Sequence, residues 1–493
     1  MGKNLKNLSS QASLYILGRA AALVVHFVVP IILVRIFVKS DFGQFAQLVL
    51  IHEFFFRIMQ LGIRQSLFYF LPIYNESKAH YVTNTFFLLM ISGIICLLIF
   101  TVFRNGIASL FNAAELSLLL PIFGLHTLFT LVSCPFEPIL IIESQAEKAS
   151  LIVFASQVVR GLFIITFVLI DKTVLSAVLG DTCYSFVRFM VYTIFVHKHI
   201  GMKLDRSSIR HLKQQFQYAV PIGISGIISN AYKRIDKFIL SAFFTPDIFA
   251  IYRIGNVKIP LVQMVFSSVG EVALPRAVEL LKDKKIDNFL VFWKKLLIRF
   301  SYIGIGVFFA FQLIAYDIVT LMFTAEYESS VPVFRIFQFL ILGEMFQYGI
   351  ILRSIGHTKA IFKSNLVAFI VSVPATYILV RHFGIIGAAA AALVGYFLNV
   401  ISQLIYSVKG LKSKYTDVFP ILIMVKLMIV GAALFIPLFV FQARIEYKIV
   451  RILISGGTFL IGYIIICWKA NIFNVFEEDL FKKIFRRMNF AKA

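Results

Sequence analysis

Acidic residues are scarce in this chain: 25 Asp and Glu stand against 48 Lys and Arg in 493 residues, and both signs together make only 15%. With 59% hydrophobic residues, a chain of this length cannot cover itself with a polar surface, which excludes a soluble globular domain. Cysteine is nearly absent. Cys96, Cys134, Cys183 and Cys467 each lie alone in an apolar run, with no spacing that suits a metal or a redox pair, so they read as core or lipid-facing residues. His197 and His199 flank a lysine in a basic stretch and read as solvated loop rather than as a metal site. Enzyme motifs are missing too: there is no Walker-type glycine loop, no HExxH helix, no nucleophile elbow and no polar stretch long enough for a catalytic domain. The sequence therefore predicts neither an enzyme nor a cofactor.

What the chain does have is apolar runs of about 20 residues, the length that crosses a bilayer as a helix. They fall near 13–38, 42–73, 79–103, 116–142, 149–170, 174–196, 214–243, 247–276, 296–323, 331–353, 360–380, 384–408, 418–441 and 448–468. The reading is an all-α polytopic membrane protein with about fourteen transmembrane helices. Barrel strands are excluded because the runs are continuous rather than alternating. Lys and Arg concentrate on loops of one side, above all 197–213, 276–295 and 409–414, whereas the turns at 245–247 and 324–330 carry none. The positive-inside rule then places both termini in the cytoplasm. The net charge of +23 sits on those loops, where anionic phospholipid is a nearer partner than nucleic acid. The first apolar run shows no small-residue cleavage site and reads as a membrane helix, not a signal.

The chain also repeats itself weakly at a period of about 210 residues, a signature of transporter folds. IFVKSDFGQFAQL (36–48) aligns with FFTPDIFAIYRIG (243–255), EKASLIVFASQ (147–157) with TKAIFKSNLVA (358–368), and VLSAVLGDTCYSF (174–186) with IIGAAAAALVGYF (385–397). The unit is six helices, so both copies enter the membrane with the same orientation and the relating axis runs along the membrane normal. This predicts a lobe at 1–200, a basic cytoplasmic linker at 201–213, a second lobe at 214–410, helices 13 and 14 at 411–470 and a basic amphipathic tail at 471–493. In the tail, Phe476, Leu480, Ile484 and Met488 recur every four residues between basic ones, a pattern for anionic lipid.

Several arginines lie inside the apolar runs. A guanidinium at bilayer depth is kept where it faces protein or a wet cavity and meets an anion, which points to transport of an anionic cargo. Glu53, Arg57 and Arg64 share one helix face; Glu53 can pair locally with Arg57, while Arg64 needs a partner from elsewhere or an anionic ligand. Arg19 and His26 are seven apart in the first helix, where snorkelling is the alternative for Arg19. KRIDK (233–237) puts Lys233 and Asp236 at a pairing distance. Arg253 and Lys258 follow, and Arg19, Arg57, Arg64, Lys233, Arg253 and Lys258 make the expected anion-binding set, with Asp236 and Glu137 as the candidates for ion coupling. Glu137, between Pro135 and Pro138, could take a cation or a proton beside freed carbonyls, the alternative being a pair with a nearby base.

YILGRAAAL (15–23), VRIFVKSDFGQFAQL (34–48), YKRIDKFILSAFFTPDIFAIYRIGN (232–256) and VGEVALPRAVEL (269–280) resemble segments of the polysaccharide-export flippases of the multidrug/oligosaccharidyl-lipid/polysaccharide superfamily, whose relatives include the lipid II flippase. The resemblance implies two six-helix lobes, alternating access and an undecaprenyl-diphosphate-linked oligosaccharide as cargo, for O-antigen, capsule or exopolysaccharide assembly in a bacterial inner membrane, with a polysaccharide polymerase as a further partner. By position, Arg19, Arg57 and Arg253 match arginines that serve the lipid diphosphate, and Asp236 matches an aspartate that binds sodium in some members. Ser372 and Thr376 stand where those members carry asparagine or aspartate, which leaves proton coupling or membrane potential open. The rival expectation is a cation-coupled multidrug efflux antiporter of the same superfamily, whose cavity should carry acids in excess.

Overall fold

The computed structural model describes residue 18 and residues 21–470, apart from 144, 204, 205, 258, 259, 283 and 284. Every regular element among them is helical. In lipid no water satisfies backbone amides, and a helix closes its own hydrogen bonds. Nine of these helices are long and apolar enough to cross a membrane, ten when the bent pair Lys39–Gln60 and Ile63–Ile73 counts as one. The all-helical, multi-pass class stands, while the number fourteen is not reached by that measure, because some expected spans are interrupted, two are counted together in Thr358–Leu411 and the first lies partly outside the described residues.

The chain forms two compact units, residues 1–260 with 368–392, and residues 261–367 with 393–493. The first contains α1 (Ala21–Ile36), α2 (Lys39–Gln60), α3 (Ile63–Ile73), α4 (Lys78–Val102), α5 (Arg104–Leu110), α6 (Leu116–Ser133), α7 (Phe136–Ile142), α8 (Ala146–Ile170), α9 (Val174–Phe195), α10 (Arg206–Ala231), α11 (Ile235–Phe243) and α12 (Pro246–Gly255). Here α4 and α9 pack on α6, α8 on α9, and α2 on α12, about a core that includes Leu67, Phe70, Tyr81, Phe136, Ile139 and Tyr192. A Cβ at Gly43 would lie 1.8 Å from the Pro246 carbonyl oxygen, so only glycine lets α2 and α12 approach this closely.

The second unit begins with α13 (Pro260–Lys282) and continues through α14 (Ile286–Met322), α15 (Val331–Glu344) and α16 (Gly349–Ser354) to α17 (Thr358–Leu411), whose middle belongs to the first unit. The amide of Asn399 donates to that of Asn365 at 2.8 Å, although 34 residues of straight helix would separate them by about 51 Å. The chain therefore reverses at Gly384 (φ 57°), as the separate runs at 360–380 and 384–408 predict. After α18 (Tyr415–Val418) come α19 (Ile421–Phe441), α20 (Lys448–Arg451) and α21 (Gly457–Lys469). Trp293 on α14 is fully buried and its indole N–H donates to the Val418 carbonyl at 3.2 Å.

Several runs that read as single spans are broken. The run 42–73 bends by 41° between α2 and α3, where Leu61 and Gly62 both take positive φ. The run 214–243 breaks between α10 and α11, and 247–276 between α12 and α13. Irregular backbone at membrane depth is tolerated where protein or a water-lined cavity surrounds it, and these breaks are where the charges gather.

Candidate functional site

Helix ends position the charged side chains of the first unit. Arg57 and Arg253 lie in the last turns of α2 and α12, and Glu137 and Asp236 in the first turns of α7 and α11. Each sits at the helix end whose partial charge is opposite to its own. Arg234 occupies the N-cap position of α11.

These residues form a string of charges. Glu53 pairs with Arg234, not with Arg57 as helix spacing suggested, because the break before α11 brings Arg234 against α2. Arg64 finds its partner elsewhere: its Nη2 lies 2.9 Å from Glu137 Oε2, so the alternative left open for both is the one adopted. Arg57 is exposed and forms no ion pair among the described residues; the charges acting on it are those of Arg234, Arg64 and Glu53. Arg253 likewise forms none among the described residues, and Glu53, Arg234 and Lys237 are among the charges near it. The string thus holds four guanidiniums and two carboxylates.

Asp236, 2% exposed, takes a 2.5 Å hydrogen bond from the Tyr252 hydroxyl. Lys233, its expected partner, is exposed, with its ammonium 5.7 Å from the Tyr232 ring centroid. The other oxygen of Asp236 is buried without a hydrogen-bond partner among the described residues, as are the hydroxyls of Ser372 and Thr376. All three are the hard oxygen type that a small cation takes. Arg19 and Lys258, expected at the anion site, lie outside the described residues, as does the tail at 471–493.

A cavity of about 80 Å³ opens between α1, α2, α8 and α12, with His26, Gln157, Arg160 and Arg253 as its polar lining among apolar residues such as Phe42, Phe45 and Ile164. One water needs about 10–15 Å³ by this measure, so the space admits a small anionic group but no oligosaccharide. Of the expected anion-binding residues that are described, Arg253 lines it, and Arg57, Arg64 and Lys233 do not. Sequence reasoning missed Arg160 and Asp181, which form a bidentate pair with both contacts at 2.7 Å. The available signal was a lone arginine and a lone acid, each inside an uninterrupted apolar run.

Comparisons with known proteins agree with this architecture. A family model described as "Polysaccharide biosynthesis protein" matches residues 32–332. A membrane protein of the capsular region of Klebsiella pneumoniae is 20% identical, over 90% of this chain and 92% of its own. An uncharacterised membrane protein of Methanocaldococcus jannaschii is 27% identical, and the match spans 61% of this chain but only 60% of the relative's length. Among solved structures, the lipid II flippase in an inward closed conformation superposes with a TM-score of 0.72 at 18% identity, covering 92% of this chain and 99% of that one. A eukaryotic multidrug transporter superposes at 0.60 with 14% identity, covering 85% and 99%.

Proposed function

Because the chain belongs to the polysaccharide biosynthesis protein family, we propose that it is a flippase that moves an undecaprenyl-diphosphate-linked oligosaccharide across the cytoplasmic membrane by alternating access of two six-helix lobes. Family and fold are those of a membrane transporter rather than an enzyme. The observation that carries the cargo is the string of four guanidiniums and two carboxylates, in which Arg57 and Arg253 form no ion pair among the described residues. Two surplus positive charges at membrane depth call for an anion of about two charges, and a diphosphate supplies them. The sugars then occupy wider, wetter space while the polyprenyl tail stays in lipid. A capsular polysaccharide biosynthesis protein of Staphylococcus aureus, 21% identical over 42% of this chain, supports capsule, O-antigen or exopolysaccharide assembly as the setting.

A multidrug antiporter has the same fold, but a cationic drug would meet a surplus of like charge along this string. Coupling to protons or sodium would fall to Asp236, whose second oxygen is buried without a partner among the described residues. The test is complementation of a flippase-deficient strain. Arg57→Ala and Arg253→Ala should abolish surface polysaccharide with the protein still in the membrane, and Arg→Lys should rescue incompletely because lysine lacks the planar fork. Full export by the double alanine variant would refute the reading. In reconstituted vesicles, transport indifferent to both proton and sodium gradients would exclude the role of Asp236.

A further inference from the structure

We propose that Arg160 is a second anion-binding guanidinium of the cavity between α1, α2, α8 and α12, aimed at the occupant by Asp181, and that the occupant is a phosphate or diphosphate group. The inference deepens the flippase reading and rests on it.

Asp181 is fully buried, and its two oxygens take the Nε and Nη2 hydrogens of Arg160. That side-on contact fixes the plane of the guanidinium and leaves Nη1 over. Nη1 makes no hydrogen bond among the described residues, and the side chain, 23% exposed, lines the cavity. Gln157, one turn earlier on α8, lines it too, and Gly161 lets α8 lie against α1, since a Cβ there would sit 3.0 Å from Val29.

Asp181 is itself held from behind. His126 Nδ1 lies 3.2 Å from its carbonyl and 3.8 Å from Oδ1. His52 packs on His126 with ring centroids 4.6 Å apart and is bonded to Thr127 at 2.9 Å. The carboxylate therefore acts as a fixed mount for Arg160. Arg253 stands in the same cavity without an ion pair among the described residues, and His26 feels both guanidiniums. An anion of phosphate size entering this space would meet two charge-assisted donors at once.

A purely architectural pair is the competing explanation, and the internal repeat speaks against it. In the aligned second copy, Arg160 corresponds to Val371 and Asp181 to Ala392, so equivalent helices form without the pair. A buried ion pair is in any case weak evidence of a stabilising role.

The test is equilibrium binding to the full chain in lipid nanodiscs of geranylgeranyl diphosphate, of inorganic pyrophosphate as competitor and of geranylgeraniol. Wild type should bind the diphosphate, release it to pyrophosphate and ignore the alcohol. The neutral double variant Arg160→Gln with Asp181→Asn leaves no buried charge unpaired and should weaken diphosphate binding about tenfold or more. The swap Arg160→Asp with Asp181→Arg keeps the pair but turns a carboxylate to the cavity, and should abolish binding. Should the swap fail to fold, Arg160→Lys tests the same role, with an expected loss of binding similar to that of the neutral double variant. Unchanged affinity in these variants, with binding lost in Arg253→Ala, would overturn the role of Arg160 and leave the flippase reading standing. A wild type that binds the alcohol as well as the diphosphate, or that pyrophosphate cannot displace, would overturn both.

Discussion

A guanidinium at membrane depth is either paired or placed where an anion can reach it, and two paired arginines of the first unit differ in burial. Arg64 pairs with Glu137, side chains 27% and 16% exposed, whereas Arg160 pairs with an Asp181 that is 0% exposed. The consequences of removing the base differ accordingly. Arg160→Ala leaves a carboxylate stranded without water and should destabilise by about 3–5 kcal/mol. Arg64→Ala leaves Glu137 partly hydrated and should cost about 1–2 kcal/mol. Thermal unfolding in detergent measures both, and equal losses would contradict the difference in burial. Neither pairing was legible in the sequence. Arg64 and Glu137 are 73 residues apart and Arg160 and Asp181 are 21 apart, on different helices in both cases, and periodicity reports only partners within one helix. For the same reason Glu53 seemed destined for Arg57 and instead meets Arg234.

At the scale of elements, apolar runs located the helices well and their interruptions poorly, because a span that bends keeps its hydrophobicity. The repeat was more informative. The aligned turns have the same geometry: Val38 before α2 and Thr245 before α12 both take φ −69° and ψ 160°. The alignment of 174–186 with 385–397 likewise sets Thr173, before α9, against Gly384, where α17 reverses. The bend between α2 and α3 had no such signal beyond a glycine. Gly62 sits there at φ 75°, and a Cβ would lie 2.3 Å from the Ala219 carbonyl oxygen on α10. Gly62→Ala therefore combines a left-handed conformation with a backbone clash, and should cost at least about 1–2 kcal/mol. It should also shift Arg64 from Glu137. Gly226→Ala in α10 meets nothing within 4 Å and should be neutral or stabilising by up to about 1 kcal/mol. Thermal unfolding of the two variants side by side decides, and equal stability would show that the bend tolerates a side chain.

For the whole molecule, orientation is set by where the basic loops lie, a property the sequence displays without any structure. Burial decides which positions can report on it. Ser208 is an obvious reporter in the basic linker, but it is 5% exposed and bonded to His80 and Asn84, so a cysteine there would stay unlabelled on either side of the membrane. Lys198, in the same basic stretch, is exposed, as are Asn288 and Ser329. Native thiols interfere little: Cys96, Cys134 and Cys467 are buried, and only the half-buried Cys183 requires replacement by serine. With cytoplasmic termini, Lys198→Cys and Asn288→Cys should resist an impermeant maleimide in intact cells and react after permeabilisation. Ser329→Cys, in a turn that carries acids and no base, should react in both. On the proposed flippase reading orientation decides direction as well as geometry, because a cargo assembled in the cytoplasm would enter from the side that carries the basic linker. Labelling of Lys198→Cys in intact cells, with Ser329→Cys protected, would invert the protein and remove an outward flippase from consideration.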